Sequence, residues 1–324
     1  MVSTRQPTTG ADSPLPIEVV PLTLHIGAEI HGVDLARPLP PEQLKAVREA
    51  FLKWKVVFFR DQNLDHAQHV AMARQFGEPT IGHAVFGHVE GYPEIYSVAK
   101  HRTANEKYDA MMVTPWFGWH TDVTAAVNPP CASILRGVTI PPYGGDTFWT
   151  NLVAAYAGLS GPMRAFADGL RTIHAFEPRG DGKNGGTYNE RVKRRALKSE
   201  HPLVTVHAET GERVLFASPS FLKSIVGLTP RESARILEIL WEHAVRPEYT
   251  VRFKWKPGDI AFWDNRSTAH LAPRDIFQSD FDRQLYRITL VGEPLVGVDG
   301  RPSVSIEGQP IRSAAEELRM MAAE

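Results

Sequence analysis

Cysteine is almost missing from this chain of 324 residues: Cys131 is its one thiol. No intrachain disulfide can hold the fold, which fits a reducing compartment. Long apolar runs are missing too. No stretch approaches the roughly 18 residues that a membrane helix needs, and the opening MVSTRQPTTGADSPLP has no apolar core of a secretion signal. That opening reads as a disordered lead over residues 1–16, and a cytoplasmic protein is expected. An excess of one charge is the third absence. Lys plus Arg number 36 against 37 Asp plus Glu, a net charge of -1, so nothing in the whole-chain charge favours nucleic acid or a membrane surface as partner. Repeats at solenoid spacing and low-complexity linkers are also missing.

What is present is a dense series of short β patterns with helices concentrated early. IEVVPL and AEIHGVDL read as strands broken by Pro21, Gly27 and Gly32. Leu44, Val47, Phe51 and Trp54 form a helical stripe, and VVFF (56–59) follows as a buried strand. Asp65 and Gln68 have capping-box spacing for a second helix, with Gly77 as its stop. Residues 83–119 show no regular period, which marks a functional or mobile loop. CASILRGV is a further strand, Gly144 and Gly145 turn the chain into DTFWT, and 152–170 reads as one helix or two around Ser160, Gly161 and Pro162. Residues 177–198, containing PRGDGKNGG and ERVKRRALK, form either a solvated insertion or a lid. Thr229, Pro230 and Glu232 open another helix, on which Ile236 and Leu240 face inward. Tyr249, Val251, Phe253 and Trp255 alternate with polar residues, and IAFW and QLYRITLV are the last clear strands. The expected architecture is mainly β with covering helices, an antiparallel barrel or jelly roll. Its expected extent is a single domain over 17–300, with lid-like insertions near 83–118 and 177–198 and a tail or short helix over 301–324.

The chemistry concentrates in two motifs. In WHTD, His120 and Asp122 are two apart, so an extended segment turns both side chains to one side. WDNRSTAH supplies His270 just after an expected strand. Two imidazoles and one carboxylate on one face of a metal leave positions open for a chelating co-substrate and oxygen. The bare residues leave other readings: a hydrogen-bonded structural cluster, a zinc site using the same atoms, or ligation by Asp264, His83, His88 or His101 instead.

GAEIHGVDL, VVFFRDQ, FGEP, WHTDVT, GGDTFW, WDNRSTAH and RQLYRITL, in that order and spacing, resemble the taurine dioxygenase/2,4-D dioxygenase family of Fe(II)- and 2-oxoglutarate-dependent oxygenases. The likeness runs from about Val19 to Pro294 and implies the family's double-stranded β-helix, a cupin-like jelly roll. It implies Fe(II) on His120, Asp122 and His270, 2-oxoglutarate as co-substrate with its distal carboxylate on Thr147 and Arg283, and dioxygen as the oxidant. Arginine can pair bidentately with that carboxylate while threonine adds a neutral donor. Arg287, four residues after Arg283, faces the same interior in an extended strand and is implied to hold the substrate's acidic group. Asp122 argues against the family's halogenases, which need that carboxylate replaced. Trp119, Phe148, Trp149 and Trp263 stand near these motifs, with core packing as their default role.

The resemblance is strongest to members that oxidise sulfonates or alkyl sulfate esters, across GHAVFGH, ASILRGVTIPPYGGDTFWTN, HPLVTVHAETGER and ITLVGEP. It adds His83 and Phe86 as pocket residues. PWFGWHTD carries Phe117 and Gly118 where the taurine enzyme has a polar residue, and the interval from His270 to Arg283 is longer than in the nearest family patterns. Both departures reshape the pocket and weigh against taurine itself. Hydroxylation of a small anionic substrate, with sulfate or sulfite released beside an aldehyde, is the expected function. The alternatives are the same chemistry on an aryloxyalkanoate or another carboxylate and, further off, a zinc hydrolase or a metal-containing binding module. A homodimer or homotetramer follows by family analogy.

Overall fold

The computed structural model describes residues 17–83, 86–99, 114–176, 190, 192 and 195–323. In chain order the strands are β1 (Glu18–Pro21), β2 (Ala28–His31), β3 (Val56–Phe59), β4 (Tyr96–Ala99), β5 (Ala132–Thr139), β6 (Thr147–Asn151), β7 (Arg171–Phe176) and β8 (Leu197–Pro202). They continue with β9 (Val204–Val206), β10 (Arg213–Leu215), β11 (Leu222–Ile225), β12 (Thr250–Phe253), β13 (Ile260–Asp264), β14 (Thr268–Leu271), β15 (Gln284–Leu290), β16 (Val296–Gly297) and β17 (Val304–Glu307). The large sheet has the order β1-β2-β3-β13-β5-β15-β4, and smaller sheets β12-β6-β14, β11-β7-β8-β17 and β10-β9-β16 complete the body. This mixed sheet core wrapped by helices is the double-stranded β-helix.

Side-chain alternation explains why VVFF is apolar throughout. Val56 and Phe58 point into a core shared with Trp149, Val251 and Phe253 of the facing small sheet, while Val57 and Phe59 point into a second core. There they meet Val47 and Phe51 of the helix Pro41–Trp54 and Val70 and Met72 of the helix His66–Arg74. Covered on both faces, the strand has no polar side. The same parity holds on β13, where Ala261 and Trp263 enter the inner core and Ile260 and Phe262 the outer one. On β15, Leu285 is inward while Ile288 and Leu290 are outward. Arg287 shares the inward parity of Leu285.

The helix ends follow their local chemistry. Asp65 and Gln68 form the reciprocal capping box, and Thr229 with Glu232 forms the one that opens Pro230–Ala244. Leu240 of that helix is fully buried and Ile236 partly so. Residues 152–170 divide into Leu152–Gly158 and Gly161–Asp168, capped by Asn151 and Ser160.

Four details differ from the sequence expectation. The helix begun at Asp65 ends at Arg74, before Gly77. Tyr249 belongs to a 3-10 turn ahead of β12 rather than to the strand. β8 begins at Leu197, inside the expected insertion, because pairing with Arg171–Phe176 takes up its backbone. The irregular stretch after His83 contains β4, whose polar YSVA carries no strand period and is extended by pairing with β15. The remainder of 177–198, and His101, lie largely or wholly outside the described residues.

Candidate active site

His120 and His270 meet across an antiparallel bridge: each donates its backbone N–H to the other's carbonyl, at 2.9 and 2.7 Å. Their rings stand 4.1 Å apart, centroid to centroid. Ligand atoms of His120, Asp122 and His270 all lie within 4.8 Å of one another. This is the cluster among the described residues whose donors could hold a metal ion. β14 places His270 through its pairing with β6, His270 opposite Trp149. Thr121 fixes the other arm, donating Oγ1–H to the Thr268 carbonyl at 2.7 Å and N–H to Ser218 Oγ at 3.0 Å.

The chain reverses after the carboxylate. Val123 has φ +47°, a costly conformation for a β-branched residue, so Asp122 is followed by a turn rather than a continued strand. The expectation that an extended segment aligns His120 and Asp122 therefore holds only as far as Asp122 itself. Gly118, at φ +83°, makes the preceding turn, and its carbonyl accepts from His120 Nδ1 at 3.0 Å. That bond leaves Nε2 of His120 as the ligating nitrogen, the usual arrangement for a metal-bound imidazole.

Asp122 is held from the inner face of the large sheet. Ser133 donates to Oδ2 at 2.7 Å and Arg287 to Oδ1 at 2.5 Å. Ser133 lies opposite Thr289 on the adjacent strand, two positions from Arg287. A relay supports the serine: Trp263 Nε1 donates to Asn265 Oδ1 at 2.9 Å, and Asn265 Nδ2 to Ser133 Oγ at 2.8 Å. Sequence reasoning missed Ser133 and Asn265, since only strand register brings them to the carboxylate.

The donor set suits a divalent metal. Burial alone would raise the Asp122 carboxyl, but Arg287, His270, His120 and Ser133 together outweigh it and hold the group well below the usual carboxylate range. Burial lowers the His120 ring against the opposing pull of Asp122. Burial and then His120 push His270 well below its ordinary value. Two neutral imidazoles and one carboxylate thus stand ready at neutral pH without prior loss of protons. His270 Nε2 lies 4.0 Å from Asp122 Oδ1, and the buried His270 Nδ1 has no hydrogen-bond partner among the described residues.

Among the described residues, the competing ligands go elsewhere. Asp264 is bound by Arg266 at 2.7 Å and by His207 at 2.9 Å. His88 Nδ1 bonds the Val89 carbonyl. His83 lies 4.8 Å from the Tyr96 ring, which itself lies under the Arg287 guanidinium at 5.2 Å. Tyr96 is the missed member of this group, unreadable without the pairing of β4 on β15. Phe86 packs on His83 at 4.7 Å and is 38% exposed.

Thr147 is the first residue of β6, and Arg283 bonds the chain two residues before it, at Gly145. Thr147 is buried, and its Oγ1 accepts from Trp255 Nε1 at 3.0 Å, which leaves the hydroxyl proton to donate elsewhere. Arg283 is buried just before β15 and donates Nε–H to the Gly145 carbonyl at 3.0 Å. A Cβ on Gly145 would stand 3.0 Å from that arginine's Cδ, and φ there is +68°, so glycine is what lets the guanidinium lie against the turn. Burial lowers Arg283 to about 10, with Asp275 and Asp146 opposing. Asp146 already pairs with Arg252 at 2.6 Å. A buried guanidinium bound to a carbonyl calls for an anion.

A cavity of about 580 Å³ adjoins the triad. Its lining holds Val123, His83, Thr289 and Arg287 rather than the three ligands, and Arg287 joins it to the triad through Asp122. Phe86 is not in the lining. Trp149 and Trp263 are fully buried in the inner core, although the Trp263 ring lies 4.9 Å from His270. Trp119 and Phe148 pack with the cluster behind the small sheet.

Residues 18–289 match the family described as "Taurine catabolism dioxygenase TauD, TfdA family". An alpha-ketoglutarate-dependent sulfate ester dioxygenase of Pseudomonas putida is 37% identical over 89% of this chain and 94% of its own. An alkylsulfatase of Acinetobacter baylyi is 36% identical over 86% of each chain. Among solved structures, a putative alpha-ketoglutarate-dependent taurine dioxygenase from Burkholderia xenovorans is 63% identical, with a TM-score of 0.81 over 91% of this chain and all of that one.

Proposed function

The chain belongs to the TauD, TfdA family and is an Fe(II)- and 2-oxoglutarate-dependent dioxygenase, and we propose that it hydroxylates the carbon bearing the acidic group of an alkyl sulfate ester or sulfonate. The observation that carries this reading is Arg287. It is a largely buried guanidinium whose Nε has no partner among the described residues, in a cavity wall that also holds His83, and against the carboxylate that would bind the metal. An anion held there sets its own α-carbon next to the triad. Similarity to a sulfate ester dioxygenase and an alkylsulfatase supports the same substrate class.

His120, Asp122 and His270 would hold the iron, and Arg283 with Thr147 would take the distal carboxylate of 2-oxoglutarate in a charge-assisted pair plus one hydroxyl bond. Bound Fe(II) supplies the oxidation, in which dioxygen converts 2-oxoglutarate to succinate and carbon dioxide and gives its other oxygen atom to the substrate's C–H bond. The chain contributes position and shelter. Arg287 and His83 orient the anion, Ser133 and Arg287 keep Asp122 ionised and fixed, and the two apolar cores behind the strands exclude water from the sheet interior. A hydroxylated carbon carrying sulfate or sulfite as leaving group collapses to an aldehyde and the free anion. No acid–base pair is required.

Residues 17–300 acting as one catalytic unit, lids near 83–118 and 177–198, a cytoplasmic location, and assembly as a homodimer or homotetramer belong to the same proposal. Among the described residues no helix is long and apolar enough to cross a membrane. Light scattering on the purified protein tests the assembly.

The substrate test is anaerobic reconstitution with Fe(II), then oxygen-dependent succinate formation against alkyl sulfates, sulfonates, aryloxyalkanoates and small carboxylates. Coupling to a sulfate or sulfonate with release of the inorganic anion is expected. Coupling confined to a carboxylate would overturn the substrate class and keep the chemistry.

A further inference from the structure

The cavity that begins at Arg287 ends on residues beyond the family match. Its lining includes Gly308 to Arg312, Glu317, Met320 and Met321, whereas the match to the family stops at residue 289. Arg287 is only 13% exposed, while Met320 and Met321 are 45% and 50% exposed. The arginine therefore marks the deep end and the methionines the mouth. Phe176, Leu197, Phe221 and Ile311 add apolar surface, and Arg195, Arg312 and Glu317 place charge of both signs in the same lining.

This last wall is fixed in place. Ile311 exchanges two hydrogen bonds with Asn128, donating N–H to Oδ1 at 2.8 Å and accepting from Nδ2 at 2.9 Å. Thr80 and Ser313 form a bridge, and Ala314 donates N–H to the Pro79 carbonyl at 2.8 Å. Ser313 and Glu316 exchange capping bonds at the start of the helix Ala314–Ala323. The helix is thus tied to the segment beside β15 and, through Asn128, to the loop that carries Asp122.

Size and chemistry point to the occupant. At roughly 30 Å³ for each water-sized group, a two-carbon aminosulfonate fills less than half of a cavity of about 580 Å³. Methionine is the side chain best able to adapt to alkyl groups of different length and branching.

We propose that the cavity-lining residues of the C-terminal segment, Gly308 to Arg312, Glu317, Met320 and Met321, form the specificity-determining wall of the substrate pocket, with Ile311, Met320 and Met321 receiving the alkyl part of a substrate whose anion is held at Arg287. The inference rests on the sulfate ester or sulfonate reading and deepens it. Substrate choice is then divided: the family-matched body recognises the acidic group, and a segment outside it measures the chain.

The test uses the full-length protein with Fe(II) and 2-oxoglutarate and a series of linear alkyl sulfates lengthened one methylene at a time. kcat/KM is read from succinate, and binding from anaerobic calorimetry. About a fourfold gain per methylene is expected until the wall is covered, the value for full burial of a CH₂. Met320→Glu should reduce the gain to less than about twofold per methylene, as expected when a charge replaces that apolar surface. Met320→Trp should move the plateau to shorter chains. Leu318→Glu, on the same helix but outside the lining, should keep the gain of the unmodified protein. Turnover of sulfates with a flat profile, or the same profile in Met320→Glu as in Leu318→Glu, overturns the wall and leaves the substrate class standing. Failure of every sulfate and sulfonate to bind and to couple overturns both.

Discussion

Arg283 carries its charge into the protein interior. Buried and bonded to the Gly145 carbonyl, it has its charge opposed by burial and supported by Asp275 and Asp146 at longer range. On the proposed function, the distal carboxylate of 2-oxoglutarate would pair with this charge. Arg283→Ala should raise KM for 2-oxoglutarate by a factor on the order of 10² with a smaller change in kcat, since a buried charge-assisted pair is worth about 2–5 kcal/mol. Steady-state kinetics in 2-oxoglutarate checks it, and an unchanged KM would remove Arg283 from the site. The ligand triad was legible in the sequence because WHTD and WDNRSTAH keep it in recognisable local patterns, whereas Arg283 and Arg287 in RQLYRITL were singled out through the family resemblance. Ser133, Asn265 and Tyr96 were not. Each reaches the site by strand register, across 11 residues in the case of Ser133 and Asp122 and across an entire sheet edge for Tyr96.

Between strands, the turn before His120 carries a structural demand that composition does not reveal. Gly118 lies at φ +83°, a Cβ there would stand 2.9 Å from Leu271 Cδ1, and its carbonyl holds His120 Nδ1. Gly118→Ala should shift that carbonyl and weaken Fe(II) affinity about 10- to 100-fold, the range for loss of an outer-shell partner of a metal-bound histidine. Metal titration followed by calorimetry reads this directly, and unchanged affinity would show that the Gly118 bond does not orient the ligand. Strands buried on both faces, such as VVFF, and helices with full capping boxes declare themselves from sequence. β4 does not, since its four residues YSVA are extended only because β15 offers an edge.

Across the whole molecule, several buried histidines make folding sensitive to acid. Burial lowers His69 to about 3, with Arg136 assisting, and lowers His201 to about 4, with the Thr124 and Ala126 backbone opposing. Burial and His201 together push His174 well below its ordinary value. Above about pH 6.5, the ordinary histidine value, folded and unfolded states are both neutral at these rings. As pH falls through 6.5 the unfolded chain takes up protons that the folded protein refuses, so stability declines down to about pH 4 for His201 and about 3 for His69. Each such ring adds up to about 1.4 kcal/mol per pH unit. Urea unfolding at pH 7, 6 and 5 should show a falling midpoint, and His201→Gln should make that fall shallower. A flat midpoint over this range would contradict the burial of neutral rings.

With Arg287 as anchor and the triad as metal site, oxidation is expected at the carbon bearing the acidic group. The most direct measurement is the balance sheet of one reaction: oxygen consumed, succinate formed, sulfate released and aldehyde produced from a single alkyl sulfate. Equal amounts of all four, abolished by removing oxygen or 2-oxoglutarate, are the predicted result. Sulfate released without oxygen or succinate would mark a hydrolase and contradict the assignment.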